Sequence, residues 1–354
     1  MAKRIAVVIS QSQSKNPAKR KLEEDIVVGL VMEPGIDVTV VPNLYDLKAD
    51  STGMLALSGI SGNMIVCGWM FERAAHWILD RNSIHGHVGL VTIRDDDLDD
   101  EEIDEEQDEE EKDRVIDSRD IPNRRIYALD LRVSNKAKTY IEEIKRIQAE
   151  NAAQVVELSD LTGGISVQAS PTPLPAAAEQ NSTPENGQPP SIAESVVNRI
   201  EEEAKRRWYP VIDYSRCTNC MECIDFCLFG VYGVDRIDTI LVEEPDNCRK
   251  GCPACSRVCP ENAIMFPQHK TPGIAGSSES TASLKIDLSQ LFGAPTDGQS
   301  AIEVAANERD EQLALAGRET VGMAVGIPKR QENASDQPKD ELDSLVDELN
   351  DLDL

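Results

Sequence analysis

The sequence predicts a multidomain chain. A three-layer α/β domain should occupy residues 1–157, a small α+β domain should lie within 191–268, and the stretches between and after them should lack a core. Three observations lead there. Short β-branched runs alternate with amphipathic helical patterns in the first part, which is how a mostly parallel sheet covered by helices reads. Eight of the nine cysteines crowd between Cys217 and Cys259. Aromatic residues make up only 4% of the 354, while Pro and Gly together number 40, so large side chains are too few to build a core along the whole length.

In chain order, Arg4 to Ser10 reads as the first strand. Asn16 is placed as the N-cap of a helix with Pro17 at its first position, and Leu22, Ile26, Val27, Leu30 and Val31 recur on one face. Asp37 to Val41 and Met64 to Cys67 are the second and third strands. A helix carrying Phe71, Ala74, Ala75 and Ile78 follows. Val88 to Ile93 and Arg125 to Leu131 supply two further strands, and a helix from about Asn135 presents Ile141, Ile144 and Ile147.

Asp95 to Asp113 holds fifteen acidic residues and one Lys, half of the net charge of −28. Like charges at that density repel, so residues 95–120 are expected to be a disordered, solvated loop. It lacks the Gly and ligand spacing of an EF-hand calcium loop. Residues 158–190, rich in Gly, Ser, Pro, Ala and Gln, read as a flexible linker. Ser191-Ile-Ala-Glu194 has the capping-box pattern and predicts a lead-in helix to about Arg206. Trp208 to Ile212 follows as a short strand. Residues 269–354 read as a largely disordered tail with short amphipathic pieces at 283–292, 302–315 and 339–354. The last places Leu342, Leu345, Val346, Leu349 and Leu352 at helical spacing among acids, which fits either a frayed end or a helix for a partner's groove.

The cysteines carry the chemistry. Cys217, Cys220, Cys223 and Cys227 form one run, and Cys248, Cys252, Cys255 and Cys259 a second that ends in Pro260. Soft thiolates two or three residues apart converge on a small inorganic core, and this spacing is an iron-sulfur run. Structural zinc would pair cysteines separated by about 15 to 20 residues. Here 28 residues separate Cys223 from Cys252, and four cysteines would be left over. Disulfides would require an oxidising compartment that nothing in the sequence announces.

Residues 205–268 resemble a bacterial-type 2[4Fe-4S] ferredoxin domain. The resemblance covers under a fifth of the chain, but its motif is specific. It implies two cysteine runs, each preceded by a short strand and followed by a helix, and two [4Fe-4S] clusters. It also implies that the fourth cysteine of each run binds the other cluster. One cluster would then use Cys217, Cys220, Cys223 and Cys259, and the other Cys248, Cys252, Cys255 and Cys227. Two departures stand out. Leu228 follows Cys227 where the family has Pro, and three residues, not two, separate Cys248 from Cys252. The extra residue must bulge, and Gly251 can adopt the left-handed backbone that a bulge requires. Arg249 and Lys250 place positive charge beside the second cluster, which predicts the higher potential there.

Other candidates are weaker. Ser10, Ser12, Ser14 and Lys15 lie between the first strand and a helix N-terminus, a polar loop suited to the phosphate of a flavin mononucleotide or another nucleotide. It has no Gly-x-Gly-x-x-Gly or P-loop pattern. The domain resembles Rossmann or flavodoxin-like folds only in its alternation and this loop. Cys67, at the end of a strand, reads as a buried core thiol.

The acidic balance argues against nucleic acid and for a redox partner with a basic docking surface. No apolar run approaches the roughly 20 residues a membrane span needs. The expectation is a cytoplasmic electron-transfer protein relaying single electrons, a carrier or an oxidoreductase subunit with no catalytic side chain. Two alternatives stand beside it. The α/β domain binds a flavin or nucleotide within an oxidoreductase, or the clusters are structural staples of an interaction protein.

Overall fold

The first strand, β1 (Ile5–Ser10), is almost wholly buried and lies at the centre of a parallel sheet. It pairs on one side with β2 (Ile36–Val41) and on the other with β3 (Met64–Gly68). Beyond β3 come β5 (Arg125–Asp130) and the two-residue β4 (His87–Val88). The computed structural model describes residues 4–93, 113–161, 197–277, 301–323 and 325. The chain divides into two units, one from residues 1–107 and 120–206, the other from 108–119 and 207–354.

In the first unit the strand order is β4-β5-β3-β1-β2-β6, the last being the two-residue strand Asn198–Arg199, and every pairing is parallel. The helices follow from the handedness of crossovers. The step from β1 to β2 runs one way along the sheet through α1 (Pro17–Val31). The steps from β2 to β3 and from β3 to β4 run the other way, through α2 (Thr52–Ser58) and α3 (Glu72–Arg81). Right-handed connections therefore place α1 on one face and α2 with α3 on the opposite one. After β5 the direction reverses again, and α4 (Ala137–Leu161) returns to pack on α1. Leu22, Ile26, Leu30, Tyr140, Ile144 and Ile147 close that face over Val7, Ile9, Val38 and Ile65. Alternate residues of the same strands, Val8, Met64 and Val66, are buried on the other side of the pleat.

The start of α1 is as the sequence predicts, with the Asn16 side chain accepting from the Ala18 N–H and Pro17 in the first turn. Four expectations need correction. The strand predicted over Val88–Ile93 shrinks to His87–Val88. A Cβ at Gly89 would stand 2.3 Å from the Tyr127 ring, so this backbone leaves the ladder where it crosses the aromatic face. Helix α4 runs to Leu161, so residues 158–161 are helix rather than linker. The lead-in helix is absent from 197–206. Instead β6 (Asn198–Arg199) adds a parallel strand outside β2, with the Ile200 N–H on the Val40 carbonyl at 2.9 Å. Finally, the loop expected over 95–120 is ordered at its end. Val115–Ser118 is one turn of 3-10 helix in the second unit, where the Val115 and Ile116 N–H groups donate to the carbonyls of Cys217 and Tyr214. The rest of the acidic run, residues 162–190 of the linker, and the pieces at 283–292 and 339–354 lie outside the described residues.

Segment 90–93 is tied to α4 by charge. Glu143 accepts from the Thr92 N–H at 2.7 Å and the Thr92 hydroxyl at 2.5 Å, and Arg146 donates to both its oxygens. Burial alone would raise the carboxyl, but the Arg146 guanidinium and the Thr92 donors outweigh it and hold it down at about 2, against an ordinary 4.5. A depressed carboxylate contributes stability that is complete above the unfolded value and is lost as pH falls through the folded one. Glu143→Gln is therefore expected to lower stability at pH 7 and to flatten the decline between pH 4.5 and 2. Denaturant titrations of both proteins across that window check it.

The second unit is built on two antiparallel pairs, β7 (Val211–Ile212) with β10 (Ile264–Met265) and β8 (Tyr232–Val234) with β9 (Ile240–Val242). Two five-residue helices, α5 (Glu222–Phe226) and α6 (Ala254–Val258), follow the cysteine loops. Trp208 stacks on Phe266 with ring centroids 5.2 Å apart, and α7 (Pro272–Ala275) returns the Ile274 carbonyl to the Phe266 N–H. In the tail, the amphipathic piece expected at 302–315 forms α8 (Ala301–Leu315), which packs on α6. Among the described residues no helix is long and apolar enough to cross a membrane.

Candidate functional site: two thiol-lined cavities

The two cysteine loops are local variations on one plan. In each, the third cysteine (Cys223, Cys255) is the second residue of a five-residue helix and the fourth (Cys227, Cys259) caps its C-terminus. The fourth cysteine donates its N–H to the carbonyl of the third, at 3.1 Å and 3.2 Å. Its sulfur in turn faces backbone N–H groups two and four residues on. These belong to Phe229 and Val231 for Cys227, and to Glu261 and Ala263 for Cys259. Such donors favour the thiolate and lower the cost of burying its charge.

The loops are held open by left-handed residues. Asn219 has φ +58° and Met221 φ +63°, and the Asn219 side chain spans to the second hairpin, accepting from the Ile240 N–H and donating to the Asp238 carbonyl. In the longer second loop Gly251 takes φ +89°, the conformation expected for the extra residue. The Asp213 carboxylate accepts from the N–H and hydroxyl of Ser215, and its carbonyl takes the Cys217 N–H at 2.9 Å.

The eight thiols sort into two cavities. One is lined by Cys217, Cys220, Cys223 and Cys259. The other is lined by Cys227, Cys248, Cys252 and Cys255. The fourth cysteine of each run thus sits with the first three of the other run. A residue four further along a helix rises about 6 Å, enough to carry Cys227 and Cys259 out of the cavity that holds the third cysteine of their own run.

The electrostatics divide the same way. Burial pushes up the thiols of Cys223, Cys255 and Cys259, the last to about 12, and the neighbouring sulfurs add to this. For Cys223 these neighbours are Cys259, Cys217 and Cys220; for Cys255 they are Cys227, Cys248 and Cys252. Four thiolates gathered without a cation repel, which is the arrangement a positively charged core would relieve. Among the described residues no three Cys, His, Asp or Glu side chains meet at a point suited to a single ion. A cubane differs, because each of its four irons takes one thiolate and the ligands stand around the core. None of the nine cysteines is in a disulfide. The ninth, Cys67, lies fully buried in the α/β core, its thiol raised to about 12 by burial.

Sequence reasoning missed two groups at this site. Tyr232, buried in the core of this unit, places its hydroxyl 3.1 Å from Cys255 Sγ. Arg309, from α8, lines the second cavity and is only 1% exposed. The run of Cys spacings carries no signal for either.

The four residues of the polar loop are placed differently from a phosphate cradle. Ser10 Oγ accepts from the Leu44 N–H, Ser12 Oγ from Ser14, and Ser14 Oγ from Asn16, while Lys15 is exposed. The anion-seeking end of the loop is already filled. The Glu23 carboxylate accepts from the Ser12 N–H at 2.7 Å, Trp69 Nε1 at 2.8 Å and Arg20 at 3.0 Å. This carboxylate stands at the carboxyl ends of β1 and β3, where the sheet's winding reverses and open α/β sheets bind ligands.

The eight thiols are thus sorted into two cavities whose remaining walls are largely apolar. Over 77 residues the chain is 48% identical to a protein of Methanocaldococcus jannaschii named as an uncharacterized ferredoxin. The match covers 20% of this chain and 52% of the other, so the chain spans about half the length of that relative. No family model matches the chain, and no solved structure does.

Proposed function

We propose that this protein transfers single electrons through two [4Fe-4S] clusters. Cys217, Cys220, Cys223 and Cys259 bind one, and Cys248, Cys252, Cys255 and Cys227 the other. The observation that carries the reading is the crossed sorting of eight thiols into two cavities. Bound there, the clusters supply one-electron redox chemistry. The chain supplies thiolates, backbone N–H groups aimed at Cys227 and Cys259, and walls such as Ile212, Ile264, Phe226 and Val231 that keep water from the sulfurs. No side chain is needed as acid, base or nucleophile. The protein is then a carrier, or an electron-transfer subunit of an oxidoreductase. With a net charge of −28 it meets redox partners through their basic surfaces, in the cytoplasm, and residues 339–354 dock in a partner's groove.

The test is anaerobic purification followed by iron, sulfide and flavin analysis, with EPR before and after dithionite. About eight irons per chain, reversibly reduced, support the reading. Zinc in place of iron overturns it, irreducible clusters turn it to a structural role, and bound flavin makes the protein a flavin-dependent oxidoreductase.

A further inference from the structure

We propose that Arg309 sets the second cluster's reduction potential above that of the first. The inference rests on the two-cluster reading and concerns a residue far outside the cysteine motif. Helix α8 is anchored to the cluster unit in two ways. The Arg257 guanidinium donates to both oxygens of Glu308, at 2.9 Å and 3.0 Å, and Ala305 is buried with Phe226, Cys252, Ala254 and Val258. This docking drives Arg309 into the wall of the second cavity, with its guanidinium 4.7 Å from the Phe226 ring centroid.

The charge there is held by neutral partners on two of its three nitrogens. Nη1 donates to the Val325 carbonyl at 2.6 Å and Nη2 to the Gly322 carbonyl at 2.7 Å. Among the described residues only Nε meets a carboxylate, that of Asp310 at 3.1 Å, and Asp310 also accepts from the Gly322 N–H. A guanidinium stays protonated in any protein setting, and burial leaves its field little screened. Arg249 lines the same cavity half-buried, whereas Lys250 is exposed and its field is screened by water. The first cavity has carboxylates in its wall, Glu222 and Glu261, whereas Glu308, whose charge reaches Cys252, is paired with Arg257. Reduction adds one negative charge to a cluster. A cation in the wall favours that state and carboxylates oppose it, so an electron shared by the pair settles on the second cluster.

The experiment is potentiometric EPR titration of the full chain and of Arg309→Gln, Arg309→Lys and Asp310→Asn. The second cluster is identified as the one retained in a Cys259→Ala variant. Arg309→Gln keeps an amide donor for the carbonyls and leaves the Arg257–Glu308 pair intact, so α8 stays docked. Its second cluster is expected to become at least about tenfold harder to reduce, about 59 mV for a one-electron couple, with the first moving far less. Arg309→Lys should retain most of the wild-type value, and Asp310→Asn should shift it upward. If Arg309→Gln holds about eight irons yet moves neither midpoint, or moves both equally, the inference fails while the two-cluster reading stands. If Lys and Gln shift the midpoint alike, helix docking rather than charge is responsible, and the inference also fails. An iron count well short of eight in the wild type removes the underlying reading instead.

Discussion

Replacing Cys259 with Ala is expected to remove about four of the eight irons, and the cluster lost is the one held by Cys217, Cys220 and Cys223. Cys259 lies in the second run, so an uncrossed arrangement would instead cost the cluster of Cys248, Cys252 and Cys255. The two outcomes are separated by spectra. With crossing, Cys259→Ala matches Cys217→Ala, and Cys227→Ala matches Cys252→Ala; without it the pairs exchange. The effect on stability should also be large. Much of this unit's burial is around the thiols, since Cys217 and Cys255 belong to the same core as Ile212, Tyr232 and Phe266. Binding free energy in such a unit is folding free energy. The variant is expected to melt well below the parent, and chelation of the remaining iron should abolish the second unit's transition.

The second large effect is expected at Glu23, in the other unit. Its side chain is 2% exposed and collects donors from Ser12, Trp69 and Arg20. Removing it leaves the Ser12 N–H and Trp69 Nε1 without an acceptor and Arg20, 39% exposed, without its charge partner. Stranding one half of a buried charged network costs about 3 kcal/mol. Glu23→Ala should therefore lower the melting temperature of the α/β unit by roughly 10 °C. Glu23→Gln, which still offers one oxygen, should lose less. An unchanged melting temperature in Glu23→Ala would mean that the loop from Ser12 to Asn16 closes without the carboxylate. Phosphate or flavin mononucleotide binding to Glu23→Ala but not to the parent would show that Glu23 occupies an anion site.

What could be read in the sequence was local chemistry with a strict spacing. The cysteine runs are legible because thiolates must stand two or three residues apart to surround one core. The start of α1 is legible because Asn16 and Pro17 do there what few residue types can do. Longer-range choices were hidden. Thr52–Ser58 escaped notice because it is short and carries Gly53, a poor helix former. Val197 to Ile200 has a helical pattern, yet the open side of β2 makes two strand residues more favourable than helix. The acidic run gave no hint that Val115 would hold the Cys217 loop by one hydrogen bond. Arg309 was the hardest to foresee, because a cation is buried only where carbonyls sixteen and thirteen residues away come back to meet it.

The short β6 strand decides where the first unit can be cut. Without it, the N–H and C=O groups that β2 turns outward around Thr39 and Val40 would be unpaired along an open, apolar margin, a template for a second chain. At the opposite margin β4 is only two residues long and offers little to pair with. A fragment ending at residue 157 strips away β6 and is expected to self-associate through β2. One ending at residue 206 keeps the margin covered and should remain monomeric at the same concentration.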